Sequence, residues 1–310
     1  MHEPLDFYRF YLVDHYLYKV TTLKNIYAHY DALNEGVLEG LTDVVEDDYR
    51  NTLRAEIRAT YFQSVETLFS LIFALEPKNN QTRDREIWYT LATSDIRREN
   101  ERIRGIAKGE DDFLSGQEIT VTYQDGARRP VSNLEYVFFH GVDLRDQADR
   151  RDAALIGIRK ALEMFAKDFS DRGEFNAIKH KILLFPTITS FDLKDNETKE
   201  TILHHDLSDS LTVLRYIEKG DNKKAILKTR PFDVERDYNM TILCDSLIKN
   251  IVLIRRAAFF DGETATLSLA LPNEADVSEM GIHHKKPGDF CLTIEQGPKA
   301  GIPESNNQSK

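Results

Sequence analysis

The stretch DDYRNTLRAEIRATYFQSVETLFSLIFAL, residues 47–75, decides the fold. Tyr49, Leu53, Ile57, Tyr61, Val65, Leu68, Ile72 and Leu75 recur every three or four positions, the spacing that lines one face of a 3.6-residue helix. Pro77 and the pair Asn79-Asn80 stop it, because proline lacks a backbone donor and clashes with the preceding turn. Gln63, Ser64, Glu66, Thr67 and Ser70 interrupt its greasiest part, so the helix is unsuited to a bilayer. Its apolar face therefore has to be covered by other helices.

Those helices are legible on either side. Residues 5 to 33 carry Phe7, Tyr11, Leu17, Val20, Leu23, Tyr27 and Tyr30 at helical spacing, ahead of a break at Asn34-Glu35-Gly36. A third helix is expected from Thr82 or Asp84 to about Ala107. A fourth runs from Asp143 to Phe169, with Leu155, Ile158, Leu162, Phe165 and Phe169 on one face. Asp171 with Glu174 three residues later resembles a capping box and opens a fifth, halted before Pro186. The last long helix starts at Asp233, a good N-cap, and ends at Arg255 and Arg256, whose charges suit its C-terminal dipole.

Between these helices the period changes. Residues 118 to 123 alternate apolar and polar side chains before Asp125-Gly126, which reads as a hairpin inserted into the helical body. Residues 210 to 217 and 224 to 229 form a second hairpin, and 265 to 271 a strand closing a small sheet with it. The expected fold is mainly α, a five- or six-helix bundle with two β-hairpin insertions and that small sheet. It divides into a bundle over 1–186, a segment 187–286 whose helix 233–257 packs back on the bundle, and a flexible polar tail over 287–310.

The 310 residues carry 41 Lys plus Arg against 52 Asp plus Glu, a formal charge of −11, which opposes sequence-blind attraction to nucleic acid or anionic lipid. Any RNA contact must use a local basic patch. Arginines do gather at Arg97, Arg98, Arg102 and Arg104, at Arg128 and Arg129, and at Arg150, Arg151 and Arg159, but interleaved acids also suit a solvated, salt-bridged face. The two cysteines, Cys244 and Cys291, fit neither a disulfide framework nor a metal spacing, which suits a reducing, cytoplasmic setting. The opening Met-His-Glu-Pro-Leu-Asp has no basic segment leading into an apolar one, so a secretory signal is not expected. His204-His205 and His283-His284 lack the spacing of metal ligands, and no Walker loop, dinucleotide fingerprint or nucleophile elbow occurs, so neither metal nor cofactor is expected.

One short stretch points to chemistry. Arg172, Asn176 and His180 stand four apart with Lys179 beside them, and four-residue steps keep side chains on one helix face. His180 could move a proton at a ribose 2′-hydroxyl while Arg172 and Lys179 stabilise charge on phosphorane oxygens and Asn176 orients them. An arginine and a histidine on a late helix of a helical body resemble the HEPN superfamily, small helical ribonucleases and RNA-binding modules of bacterial toxin and phage-defence systems. That resemblance implies metal-independent RNA cleavage, a homodimer pooling two motifs, and an antitoxin-type protein partner. In the family four to six residues separate the arginine from the histidine, often with a polar residue after the arginine; here seven separate them and Gly173 follows Arg172.

Another reading stays open, in which Asn176 and His180 bond the backbone or a buried carboxylate within a non-catalytic scaffold or sensor. Glu66, between Phe62, Phe69 and Phe73, is a candidate buried partner for His180 or an arginine, since a carboxylate on an apolar face needs a partner or a raised pKa.

Overall fold

The computed structural model describes residues 3–30, 46–78, 81–115, 118–122, 128–140, 142, 147–170, 175–178, 184–185, 190–207, 210–219, 222–261, 267–284 and 290–295. The chain is mainly α, with small antiparallel β insertions. Met1–Phe175 together with Asp233–His284 make one compact unit, and Asn176–Phe232 together with Lys285–Lys310 make another.

The helical unit is built on one spine. Helix α1 (Asp6–Phe10) and α2 (His15–Ala28) precede α3 (Glu46–Leu75), which is 30 residues long. The periodic residues of α3 behave as their spacing demands: Leu53, Ile57, Tyr61, Val65, Leu68, Ile72 and Leu75 are all buried. A single helix was expected over 5 to 33, but the backbone turns extended at Tyr11 and left-handed at Asp14, whose φ is 64°. Tertiary bonds hold that break. Lys249 donates to both Asp14 carboxylate oxygens, and Arg256 donates to the Tyr8 and Tyr11 carbonyls.

The expected third helix is likewise divided, into a 3₁₀ turn (Asp84–Glu86), α4 (Ile87–Ala92) and α5 (Ile96–Lys108). Asp95 restarts the chain as N-cap of α5, accepting from the Arg97 and Arg98 amides, and Gly109 ends it at φ 73°. After α6 (Asp112–Ser115), strands β1 (Glu118–Thr122) and β2 (Arg128–Ser132) pair antiparallel as the alternation implied. The turn Asp125-Gly126 lies outside the described residues. Besides the short α6, two helices were not anticipated. α7 (Asn133–Phe139) starts from a Ser132 cap and buries every residue but Glu135, leaving too narrow a polar face to betray its period. The other is α10, below.

α8 (Ala148–Phe169) carries the expected Ile158, Leu162, Phe165 and Phe169 into the core, while Leu155 stays half-buried. α9 (Val234–Arg256) buries Met240, Leu243, Leu247, Ile251 and Ile254 and packs along α3 and α2. Its N-cap Asp233 accepts from the Arg236 amide with one carboxylate oxygen and from the His284 amide with the other. A π-helical turn (Ala257–Asp261) follows, and α10 (Glu274–Met280), opened by an Asn273–Asp276 capping box, packs on α8.

The other unit holds the larger sheet. β3 (Leu184–Phe185), β6 (Ser210–Lys219), β7 (Asn222–Pro231) and β8 (Phe290–Glu295) form four antiparallel strands in that order, and β4 (Ser190–Lys194) pairs with β5 (Thr201–Asp206). The β6–β7 hairpin keeps the anticipated residues, with Thr212 hydrogen-bonded across to Thr229 at 2.8 Å. Three expectations are overturned. The described residues 267–271 form no strand, because Asn250 of α9 donates to the Ala270 carbonyl and accepts from its amide, occupying backbone groups a ladder would need. The edge strand beside β7 comes instead from 290–295, within the stretch expected to be a flexible tail. The fifth helix does not reach Phe185: residues 175–178 are helical, whereas Leu184 and Phe185 pair with Val213 and Thr212.

Candidate functional site

Of the four motif residues, Asn176 is described; Arg172, Lys179 and His180 lie outside the described residues, as does the capping pair Asp171 and Glu174. Asn176 is exposed, and its neighbours Phe175, Ala177 and Ile178 are buried. Phe175 anchors the turn, its ring 5.6 Å from Phe62 of α3 and 5.1 Å from Phe169 of α8. Glu66 is half-buried rather than sealed in the apolar face. It belongs to the side of α3 that carries Ser70, which hydrogen-bonds Glu99 of α5, and its charge helps to raise the Glu99 carboxyl pKa, a shift caused mainly by burial.

Beside Phe62 the fold assembles a charged cluster that the sequence did not announce. Arg58 of α3 lies 4.8 Å over the Phe62 ring and donates to Asp237 Oδ1 at 2.5 Å. Arg236, next along α9, donates to Asp168 Oδ2 at 2.7 Å and to the Gly281 carbonyl at 3.2 Å, and the Tyr61 hydroxyl donates to the same Asp168 oxygen at 2.6 Å. Four elements are thereby tied together: α3, α8, α9 and the turn after α10.

Asp237 is buried, and among the described residues nothing donates to its Oδ2. Burial outweighs the attraction of Arg58, so its carboxyl pKa is pushed up to about 6. Burial, then the charge of Arg236, lowers the His283 imidazole. Chemically the cluster offers a proton-exchanging carboxyl beside two guanidinium groups. Its most evident work is clamping, since such pairs at the start of α9 would be costly to break.

A further charged node is sealed in the interior. Asp84 accepts from Arg255 Nε at 2.7 Å and from the Tyr136 hydroxyl, while Tyr8 donates to the Asp84 carbonyl at 3.2 Å. Arg255 is fully buried and also donates to the Val137 carbonyl at 2.7 Å. Burial alone would raise the Asp84 carboxyl, but Arg255 and His140 bring it below the ordinary range. His140 sits at φ 41° with Nδ1 3.8 Å from Asp84 Oδ1, beyond hydrogen-bonding reach, and burial followed by Arg255 pushes its imidazole down to about 4. It is neutral at pH 7.

Arg102 is held by Glu76 and Asp111, Arg151 by Asp152 and Glu135, while Arg97 and Arg104 are exposed. Among the described residues no group of three or more His, Cys, Asp or Glu side chains is placed to hold a metal ion, and no described helix is long and apolar enough to cross a membrane. Comparison with protein-family models, curated proteins and solved structures finds no match.

Proposed function

We propose that this chain is a HEPN-like, metal-independent ribonuclease or RNA-binding effector of a bacterial defence or toxin system, with Arg172, Asn176, Lys179 and His180 as its site. The observation that supports the reading most is the solvent-facing Asn176 between three buried neighbours. In a helix, positions four before and four after share its face, and in this sequence those positions are Arg172 and His180. In this reading His180 transfers the proton from the 2′-hydroxyl or to the leaving oxygen. The cations of Arg172 and Lys179 balance the dianionic phosphorane, and the Asn176 amide donates to one of its oxygens. The acidic chain would meet RNA through this local site, with two copies pooling their motifs.

Purified protein incubated with a panel of cellular RNAs in the presence of a chelator should cut RNA. His180→Ala should abolish cutting with helical content and Tm unchanged, and Asn176→Ala should slow it by about ten- to a hundredfold. A wild-type protein that leaves every RNA whole, alone and with phage-infected cell extract, refutes the catalytic reading.

A second reading, a scaffold or sensor acting through protein contacts, is favoured by one surface feature. Phe10, Leu12, Trp88 and Tyr89 are exposed, and Trp88 stacks edge-on with Phe7 of α1 at 6.0 Å. Tyr, Trp and Phe are enriched in protein interfaces. Under this reading Trp88→Ala abolishes association with a protein partner while His180→Ala leaves it intact.

A further inference from the structure

A polar cleft of about 540 Å³ opens between the end of α3, α4 and α5, lying wholly within the helical unit. Its size is that of a small-molecule site. Phe73 forms part of its wall, covered by the Arg102 guanidinium 4.2 Å above the ring. Arg102 is the brace of the cleft. It donates to both Glu76 carboxylate oxygens, at 2.6 and 3.1 Å, and to both Asp111 oxygens, each at 3.1 Å.

Four cationic and six acidic side chains line the space, so the raw count favours a cation. What decides the matter is how the charges are already spent. Glu76 and Asp111 are consumed by Arg102. Asp95 caps α5 through the Arg97 and Arg98 amides, Glu99 accepts from Ser70, and Asp112 is engaged as well, while Glu110 lies 3.9 Å from Lys108, beyond hydrogen-bonding reach. Lys78 and Arg98, in contrast, meet no carboxylate among the described residues. Arg83 spends one guanidinium nitrogen on Thr90 at 2.8 Å and reaches Glu86 at 3.4 Å, leaving donors over. Three cations with donors to spare, Lys78, Arg83 and Arg98, therefore line the cleft.

We propose that this cleft binds a small phosphate-bearing molecule, with Lys78, Arg83 and Arg98 contacting the phosphate oxygens and the Arg102 brace fixing the wall behind them. Guanidinium groups suit phosphate because their planar donors match its oxygens in pairs. The proposal is independent of the ribonuclease reading, since none of these residues belongs to the 172–180 stretch.

Inorganic pyrophosphate, inorganic phosphate and spermidine would each be titrated into the full chain by calorimetry and by thermal shift. Pyrophosphate should bind and raise Tm, more weakly as salt increases. Arg98→Ala and Lys78→Ala, both at exposed positions, should each weaken it at least tenfold, and Arg97→Ala, an exposed neighbour outside the cleft, should not. Absence of pyrophosphate and phosphate binding at millimolar concentration overturns the proposal. So does undiminished binding in Arg98→Ala and Lys78→Ala, stabilisation by spermidine instead, or displacement of pyrophosphate by a short RNA at equal concentration.

Discussion

At the scale of single residues, buried charge is placed where one change has large effects. Arg255 is fully buried and neutralises Asp84, so Arg255→Met should leave an unpaired interior carboxylate and cost about 3 kcal/mol or more, measurable as a lowered denaturation midpoint. His140 gives a pH test. Its folded pKa, near 4, lies below the ordinary histidine value, so the unfolded chain binds the extra proton first as pH falls. The stability tied to neutral His140 is therefore complete above about 6.5 and is lost as pH falls from there towards 4. His140→Asn, which tolerates the positive φ, should remove that loss, and the stability gap between wild type and variant should shift in the variant's favour across this window. A gap that does not change with pH would refute the assignment. Asp237 works in the opposite direction, because its raised pKa makes the folded state hold a proton that is surrendered as pH rises through about 6. Asp237→Asn should remove that descending slope.

At the scale of elements, helix contacts are set by backbone approach as much as by apolar area. Gly157 faces the chain just before α10, and a Cβ there would stand 2.1 Å from the Pro272 carbonyl oxygen. Alanine improves helix propensity by up to about 1 kcal/mol, but a backbone atom cannot step aside as a side chain can. Gly157→Ala should therefore destabilise by about 2 kcal/mol, with the α8–α10 contact opening first in hydrogen exchange. The same logic explains which elements could be anticipated. α3 and α9 declared themselves because each has one apolar face over many turns. α7 did not, because Leu134, Tyr136, Val137, Phe138 and Phe139 are all buried and carry no contrast. Residues 184–185 read as the end of a helix because two residues are too few to show the period of a strand.

At the scale of the whole molecule, the chain leaves the helical unit after Phe175, returns for Asp233–His284 and contributes β8 last. β8 is the edge partner of β7, so truncation after His284 should leave helical circular dichroism largely intact while proteolysis within 185–231 speeds up. Loss of the helical signal in that truncation would show that the sheet and the bundle fold as one.

What the sequence determined by itself was the helical spine, its apolar face and the two central hairpins. Each rests on short-range periodicity, which side-chain burial imposes on neighbouring residues. Tertiary structure alone decided the breaks at Tyr11–Asp14 and before α5, the source of the third long strand, and every interior ion pair. Arg58 with Asp237, Asp168 with Arg236 and Asp84 with Arg255 are separated by 179, 68 and 171 positions. No local period encodes such a meeting. A buried charge looks in the sequence like a surface one, and only the packing that removes water from both partners tells them apart.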